Sequence, residues 1–487
     1  LKVTSPEKGV RIAQDMFGQK LEKSSSTSSA QKTTISLFEK IEIMAEKHHK
    51  QVVAAIDLSI DKSRIDQALA EELNISQKGI CKINLAGQRI TTIVDIVDMK
   101  NDLYPFRLGR HDLQGFVVDP SNVNVRTSQK DSKTVDKQLA EIDKKIHLLS
   151  YIKPINLTSE VEKFSRNPNY NPQFEYKPLD FDPDVLVKKL DKLVFQDSPI
   201  GILLEKKADE IRRKIAVLKA IGTNEFTEKS CDLYSKPDSE IIKKADRFMR
   251  PMPRLLPKEE ASINADSAKE RIEEFLKSHG LGNWKVILKD SLVSDVIAGK
   301  ENSILMRADA MFSEERLNGI ITHEIETHVF TAVNGRSQPY MIFQRGFGDY
   351  LHTEEGLAIY NQSFIQKSET QKKYWPASSV IGIDVALKGS FVEVVEALTS
   401  LGFDKDRALR AALKIKRGLK DTGKPGAFTR EIVYFKGHQM VKSFLADGGN
   451  LADLYYGKIN LEDLPLIKKI DGLRPPKYLP GYLVIQR

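Results

Sequence analysis

Two imidazoles and a carboxylate fall within the six-residue segment HEIETH, residues 323–328. Imidazole nitrogens and carboxylate oxygens ligate zinc, and a helix that carries both is typical of zinc hydrolases. Buried or half-buried histidines and glutamates need partners, and a metal ion supplies them. The segment therefore indicates a zinc hydrolase with one Zn²⁺ per chain. The alternative is two unrelated histidines, one satisfied in the core and the other on the surface.

The histidines are one residue further apart than in ordinary zinc peptidases, where they stand at i and i+4. On an α-helix, His323 and His328 would point about 140° apart, which does not suit one tetrahedral ion. A π-helical turn, with roughly 4.4 residues, reduces this angle to about 50°. We therefore predict a π-bulge between Glu324 and His328.

A helix must carry this segment. Ser313 is a good N-cap, and the acidic residues after it suit the positive end of a helix. An apolar stripe at helical spacing follows, formed by Leu317, Ile320, Ile321, Ile325 and Val329.

Catalytic zinc requires a third protein ligand. Downstream, Thr353 can cap a helix whose first turn contains Glu354 and Glu355. Either glutamate could serve, and His352 is a competitor. The alternative is a plain acidic helix start.

Several segments together resemble one known family. They are HEIETHVFTAVNGRSQP (323–339), EGLA (355–358), NPQFEY (171–176), FTREIVY (428–434) and Gly437. They are similar to the QEGLA-motif family, which includes the microtubule-associated tyrosine carboxypeptidases and bacterial proteins described as flavohaemoglobin expression modulators. The resemblance spans roughly residues 150–470 and does not obviously cover residues 1–130.

The resemblance implies a zinc peptidase with an HExxxH helix and a later glutamate ligand. Carried over by position, His323, His328 and Glu355 would ligate the metal, and Glu324 would be the general base. Two residues depart from the pattern: Glu326 replaces a small residue and Glu354 replaces the usual glutamine. Both add acid near the metal, and Glu326 could alter metal choice or substrate access.

Peptide hydrolysis also needs a donor for the tetrahedral oxyanion. Tyr434 is the candidate, with His438 one helical turn later as runner-up. A carboxypeptidase further needs a cation for the terminal carboxylate. The candidates by sequence position are Arg336, Arg345 and Arg430. The strand Asn302–Met306 is expected to be an edge strand that pairs with extended substrate.

The predicted function is a zinc-dependent carboxypeptidase acting on protein or peptide C-termini. A preference for aromatic C-terminal residues rests on the family alone. Another metal-dependent hydrolase (an endopeptidase or amidase) and a non-catalytic regulatory binding protein stay open as alternatives. The oligomeric state is open as well.

The overall composition constrains the number of domains, the cellular compartment and the partners of the chain. The chain has 487 residues, 40% of them hydrophobic, which is enough for two or three domains. Cys81 and Cys231 are the only cysteines, which fits a reducing cytoplasm and excludes a cysteine-rich zinc site. No apolar run is long enough for a membrane span. The net charge of +8 is a mild excess, so no nucleic-acid partner is expected.

The predicted fold class is α+β and mostly helical, with a zincin-like metallopeptidase domain and a small sheet. We expect a flexible N-terminus over residues 1–35, an N-terminal α/β module over 36–130 and the metallopeptidase domain over 150–487. Within the module, residues 35–58 and 65–73 are predicted helices and 80–97 strand. Residues 120–134, 167–176 and 249–257 are predicted connections.

In the larger domain the predicted helices are 135–149, 184–195, 202–221, 240–249, 267–279, 313–366 with a break near 345–349, 392–401, 405–419 and 429–445. Residues 284–288 and 302–306 are predicted strands.

Overall fold

The computed structural model describes residues 33–45, 48–75, 79–99, 102, 104–120, 132–252, 261–290, 292, 294–299, 302–365 and 371–484. The chain divides into two compact units, Leu1–Ser128 and Gln129–Arg487. Residues 121–131 of the predicted linker at 120–134 and most of the predicted flexible N-terminus lie outside the described residues. The end of the predicted linker is wrong, because residues 132–134 begin a helix.

The first unit is built mainly from strands. They are β1 (Thr33–Ile35), β2 (Phe38–Ala45), β3 (His48–Ile56), β4 (Arg64–Asp66), β5 (Ile80–Leu85), β6 (Gln88–Ile93), β7 (Asp95–Val97), β8 (Phe106–Leu108) and β9 (Phe116–Val118). One short helix, α1 (Gln67–Glu72), follows β4. Seven strands form a sheet in the order β6-β5-β2-β3-β8-β4-β7, and β1 pairs in parallel with β9.

The helix predicted over residues 35–58 is wrong, because this segment forms β2 and β3, an antiparallel pair. Burial alternates strictly along β2, where Glu39, Ile41, Ile43 and Ala45 are buried. A period of two is the strand pattern. The prediction counted Leu37, Ile41 and Met44, whose spacing happens to suit a helix. The helix near 65–73 and the strands within 80–97 are confirmed.

The second unit is mostly helical, so α+β describes the chain. Its helices are α2 (Ser132–Asp143), α3 (Leu148–Tyr151), α4 (Leu157–Arg166), α5 (Pro183–Leu190), α6 (Pro199–Ala220), α7 (Phe226–Tyr234), α8 (Ser239–Met249), α9 (Ala265–Ser278), α10 (Glu314–Ile320), α11 (Phe330–Ser337), α12 (Ile342–Arg345), α13 (Tyr350–Ile365), α14 (Gln371–Lys388), α15 (Phe391–Ser400), α16 (Lys405–Lys416), α17 (Ile432–Ala446), α18 (Leu464–Ile467) and α19 (Gly481–Val484).

These helices confirm the predicted ones to within a few residues at most ends, including the break before α13. The prediction missed the helix α4 and the short helices α18 and α19. Two further helices were also not predicted. One is α7, and the other is α14, which carries Pro376 in its interior. Residues 167–176 are irregular, as predicted. No helix among the described residues meets the length and apolarity needed to cross a membrane.

The sheet of this unit has three strands, β11 (Lys285–Lys289), β12 (Val296–Ala298) and β13 (Ser303–Arg307), in the order β11-β13-β12. A separate two-stranded pair joins β10 (Ile263–Asn264) to β14 (Met311–Phe312). Buried residues from β11, β12 and β13 share one hydrophobic core with residues of the histidine-bearing helix and α13. The sheet and these helices therefore support the candidate site together.

Candidate active site

The HEIETH segment forms a π-helix, Ile321–Val329. It continues α10, whose N-cap Ser313 accepts a hydrogen bond from the Arg316 amide at 3.2 Å. The predicted overwide turn between Glu324 and His328 is therefore confirmed. As a result, the rings of His323 and His328 face the same region, with centroids 5.1 Å apart.

Each histidine is oriented by a hydrogen bond at its Nδ1 atom. His323 Nδ1 lies 3.0 Å from the Oε1 atom of Gln362, and His328 Nδ1 lies 2.9 Å from the Oε1 atom of Glu354. An imidazole that donates through Nδ1 presents the lone pair of Nε2, and metal-binding histidines are commonly held in this way. Both Nε2 atoms are therefore available to one ion.

Glu355 brings a carboxylate to the two Nε2 atoms. Its Oε2 atom lies 3.6 Å from His328 Nε2 and 3.9 Å from His323 Nε2. Ligand atoms around a tetrahedral zinc ion, with bonds of about 2.1 Å, stand roughly 3.4 Å apart. The Glu355 oxygen stands close to that spacing from each nitrogen, so the residues present fit a zinc ion.

Glu324 also lies close to the histidines, since ligand atoms of His323, Glu324 and His328 all fall within 4.8 Å of one another. Its Oε2 atom accepts a hydrogen bond from the Ala298 amide at 2.8 Å. Neighbouring residues of a π-helix point roughly 80° apart, so the Glu324 and His323 side chains leave the helix in different directions. Glu355 reaches the two Nε2 atoms from a different helix, α13.

Glu354 binds the His328 ring at Nδ1, the nitrogen that does not face Glu355. Its Oε1 atom accepts from His328 Nδ1, from the hydroxyl of Thr331 at 3.0 Å and from the Lys458 ammonium at 3.1 Å. Burial alone would raise the pKa of Glu354, but Lys458 and His328 lower it to about 2. The carboxylate is thus ionised and engaged on the Nδ1 side, where it positions a ligand.

The carboxylates of Glu354 and Glu355 favour a positive charge on the His328 ring. Burial by itself lowers the pKa of His328, but the hydrogen bond to Glu354 and the charge of Glu355 outweigh burial and raise the pKa to about 9. Metal ions and protons compete for such a nitrogen. The same carboxylates would therefore stabilise a bound cation.

The competing ligand His352 lies elsewhere. It lines a polar cavity of about 220 Å³ with Arg213, Asp349 and Lys436, and burial lowers its pKa to about 4. The expected cap at Thr353 is wrong, because α13 already begins at Tyr350. The Thr353 hydroxyl instead accepts from the Leu461 amide at 2.8 Å.

A crossing of α13 and α17 at two glycines places Glu355. A Cβ atom on Gly356 would lie 2.2 Å from the carbonyl carbon of Gly437, and one on Gly437 would lie 1.9 Å from the carbonyl oxygen of His352. Only glycine allows the two backbones to approach so closely. The crossing brings Tyr434, one turn before Gly437, towards the metal-binding residues.

Arg430 and Tyr434 lie beside Glu355. The Nη2 atom of Arg430 is 3.5 Å from Glu355 Oε1, and its Nη1 atom is 3.6 Å from Glu431 Oε1. Arg430 therefore supports Glu355. Burial, followed by the charge of Glu355, raises the pKa of Tyr434. The phenol consequently keeps its proton at neutral pH and can donate a hydrogen bond.

A basic cavity of about 630 Å³ opens beside His328 and Ala298. Its described lining contains no aspartate or glutamate, and its basic residues are Lys144, Arg336, Arg345 and Lys458. Arg336 also bonds to the Asn302 side chain and lies over the Trp284 ring. The structure thus brings the predicted Arg336 and Arg345 together, whereas Arg430 lies on the Glu355 side.

A second, more apolar cavity of about 550 Å³ is lined by His438 and by Gln362, the partner of His323. Its aromatic lining consists of Phe248, Tyr360, Phe364 and Phe435. Burial, with a contribution from Lys442, lowers the pKa of His438 to about 4, so this imidazole is neutral at pH 7. His438 is thus placed in a pocket wall.

The expectation that Asn302–Met306 is an edge strand is wrong. These residues fall mainly in β13, which pairs with β11 on one side and β12 on the other. The edge strands are β11 and β12, and β12 contacts the π-helix through Ala298 and Glu324. Strand order depends on long-range pairing, which spacing alone did not reveal.

Three partners of the site were missed from the sequence. Gln362 had a usable signal, because it follows Glu355 by two helical turns on the same face. Lys458 and the backbone amide of Ala298 lie far from the histidines in sequence and had no local signal.

Comparison with known proteins places these residues within a named family. A family model described as "Microtubule-associated tyrosine carboxypeptidase" matches residues 162–486, more than half of the chain. The chain is 26% identical to Microtubule-associated tyrosine carboxypeptidase 1 of Mus musculus, over 68% of this chain and 65% of that protein. The corresponding values for the Homo sapiens protein are 25%, 68% and 64%. The chain thus spans slightly less than two thirds of the length of these curated relatives.

Among solved structures, the protein Lpg0085 from Legionella pneumophila aligns with 17% identity and a TM-score of 0.16. The alignment covers 20% of this chain and 98% of that one. At this TM-score, nothing about the chain follows from the likeness.

Proposed function

Because the chain belongs to the microtubule-associated tyrosine carboxypeptidase family, we propose that it is a zinc-dependent carboxypeptidase with a zincin-like catalytic domain. Its substrates would be the C-termini of proteins or peptides. The observation that carries the proposal is the convergence of two Nδ1-anchored histidines and Glu355 on one point. That donor set, with two nitrogens and one carboxylate oxygen, is one that catalytic zinc uses.

His323, His328 and Glu355 would hold the ion. A zinc ion bound there would supply the Lewis acidity that activates water and polarises the scissile carbonyl. Glu324 would accept the proton of the attacking water and pass it to the leaving amine. The Ala298 amide, 2.8 Å from Glu324 Oε2, fixes the direction of this carboxylate.

Tyr434 would donate a hydrogen bond to the oxygen that becomes negative as water adds. Its raised pKa keeps the proton in place for this role. The exposed side of β12 would align the substrate backbone, since the strand has a partner on one side only among the described strands.

The basic cavity suits the terminal carboxylate of a C-terminal residue, and the apolar cavity suits its side chain. Arg345 and its basic neighbours in the cavity beside His328 would bind carboxylate, because guanidinium groups pair with carboxylates in a bidentate way. The apolar cavity beside Gln362 would accept an aromatic side chain. A preference for a C-terminal aromatic residue also agrees with the name of the relatives, which are tyrosine carboxypeptidases.

Substitution of the proposed base tests the mechanism. Glu324→Gln should retain stoichiometric zinc and lose release of the C-terminal residue, whereas His323→Ala should lose both. Zinc content is measured by atomic emission and residue release by mass spectrometry on a peptide library. Unchanged turnover in zinc-loaded Glu324→Gln would refute the mechanism.

The same peptide library separates the alternatives. Products shortened by one C-terminal residue indicate a carboxypeptidase, whereas internal cuts indicate an endopeptidase. A biological effect that persists in Glu324→Gln would instead favour a non-catalytic regulatory protein.

A further inference from the structure

The segment 474–484, here called the C-terminal strap, lies along the helix that carries the histidines. The strap contacts four residues of this helix at intervals of four, namely Glu326, Phe330, Asn334 and Gln338. Later strap residues contact earlier helix residues, so the strap runs antiparallel to the helix. The stretch from Glu326 to Gln338, the C-cap of α11, spans about 18 Å at the rise of an α-helix, a distance that seven extended residues readily cover.

Polar side chains of the helix bind the main chain of the strap. Gln338 donates to the carbonyl of Arg474 at 2.8 Å and accepts from its amide at 2.9 Å. Asn334 accepts from the amides of Lys477 and Tyr478 at 3.0 Å each and donates to the Tyr478 carbonyl at 2.8 Å. The strap is therefore held largely through its backbone.

Glu326 extends this attachment into the π-helix. Its Oε1 atom accepts from the Gly481 amide at 2.8 Å, and its Oε2 atom accepts from the Thr322 hydroxyl at 2.9 Å. The side chain is 7% exposed. Both carboxylate oxygens of Glu326 thus accept hydrogen bonds, one from the strap and one from Thr322, which lies one turn earlier in the helix.

A second connection joins the strap to α13, which carries Glu355. The Tyr482 hydroxyl donates to Asn361 Oδ1 at 2.6 Å, and Asn361 Nδ2 donates to Thr327 Oγ1 at 2.8 Å. Thr327 in turn donates to the carbonyl of Thr322 at 2.9 Å, within the wide turn. The strap, the π-helix and α13 therefore share one buried hydrogen-bond network.

We propose that the C-terminal strap holds the metal-binding helix in its π form, with Glu326 as the positioning residue. A π-helix is rare and is seldom stable as an isolated element, so it needs support from its surroundings. In α geometry the two histidines would diverge by about 140°, against roughly 50° in π geometry. Removal of the strap contact should therefore weaken metal binding without unfolding the domain.

The inference rests on the proposed function only for the identity of the ion. Glu326→Ala should lower zinc affinity about 10- to 100-fold, as loss of a supporting residue commonly does. Glu326→Gln retains an amide oxygen for the Gly481 amide and should restore most of the affinity. Lys477→Ala is the matched control, because the strap binds Asn334 through the Lys477 backbone and leaves its side chain exposed.

Zinc affinity is measured by competition with a chromophoric chelator, and the ligand geometry by the visible spectrum of the cobalt(II)-loaded protein. The spectrum should change in Glu326→Ala and match the parent in Glu326→Gln. Equal affinity and spectra in Glu326→Ala and the parent, or an equal loss in Lys477→Ala, would overturn the proposal.

Amide hydrogen exchange of the metal-free protein keeps this test separate from the proposed function. Amides of residues 321–329 should exchange faster in Glu326→Ala than in Lys477→Ala, whatever ion the site takes. Absence of zinc uptake by the parent would refute the proposed function. The comparison of amide exchange between Glu326→Ala and Lys477→Ala would still test the role of the strap. Unchanged exchange in Glu326→Ala would refute that role.

Discussion

Gly356→Ala should separate α13 from α17 and so disrupt the metal site without removing a ligand. The new Cβ would stand 2.2 Å from the carbonyl carbon of Gly437, where an ordinary carbon–carbon contact is about 3.5 Å. The helices would therefore have to part locally by roughly 1.3 Å. Because the obstruction is backbone, no side-chain rotation can relieve it.

Glu355 precedes Gly356 and would move with it. Its Oε2 atom is already 3.6 Å and 3.9 Å from the two Nε2 atoms, near the upper end of what one zinc ion bridges. A further shift of about 1 Å would exceed that range, and misplacements of this size commonly cost about 100-fold in rate. We expect zinc affinity to fall by at least 10-fold.

Overpacking of a core costs about 1–3 kcal/mol, while replacing a helical glycine by alanine returns up to about 1 kcal/mol. The free energy of unfolding should therefore fall by only about 1–2 kcal/mol, and the variant should stay folded. Thermal unfolding, chelator competition and residue release measure the three effects.

Gly382→Ala is the matched control on α14. Its Cβ would meet the Cδ1 atom of Ile415 at 2.8 Å, which is the movable end of a flexible side chain. This variant should bind zinc like the parent. Parental zinc affinity and turnover in Gly356→Ala would show that the crossing does not position Glu355.

Three further substitutions test other parts of the site. Lys458→Met removes the lysine cation of the buried Glu354 and leaves His328 as its remaining partner, so it should destabilise the protein by about 3 kcal/mol. The double variant with Glu354→Gln should recover more than half of the lost stability, and no recovery would contradict the pairing of Lys458 with Glu354. Arg345→Ala should raise the KM for residue release about 10-fold with zinc content unchanged, and Arg247→Ala, on an exposed part of α8, serves as its control. Tyr434→Phe should lower kcat by about 100-fold or more with KM little changed, and a parental kcat would exclude the phenol as oxyanion donor.

Local spacing was sufficient to predict the central geometry of the site. The i,i+5 interval of His323 and His328 excluded an α-helix on angular grounds, and the π-helix follows from that requirement. Ser313 likewise caps the helix as predicted, because its effect depends only on residues within one turn.

Non-local pairing explains what the sequence did not reveal. The order β11-β13-β12 places Ala298, and not the Asn302–Met306 strand, beside Glu324. Lys458 reaches Glu354 across 104 positions of sequence. Neither contact leaves a periodic pattern, since each depends on how separate elements pack.

The contacts of the two acidic residues that depart from the family pattern favour a role in position rather than in metal choice. If Glu326 and Glu354 faced the ion, the site would become rich in oxygen and would suit Mg²⁺ or Mn²⁺ better than Zn²⁺. Instead, Glu326 binds the Gly481 amide and the Thr322 hydroxyl, and the charge of Glu354 is balanced by Lys458. The proposed donor set therefore stays at two nitrogens and one oxygen, which favours zinc. It follows that Glu326→Ala and Glu354→Gln should lower zinc affinity while leaving the preference for zinc over manganese in place.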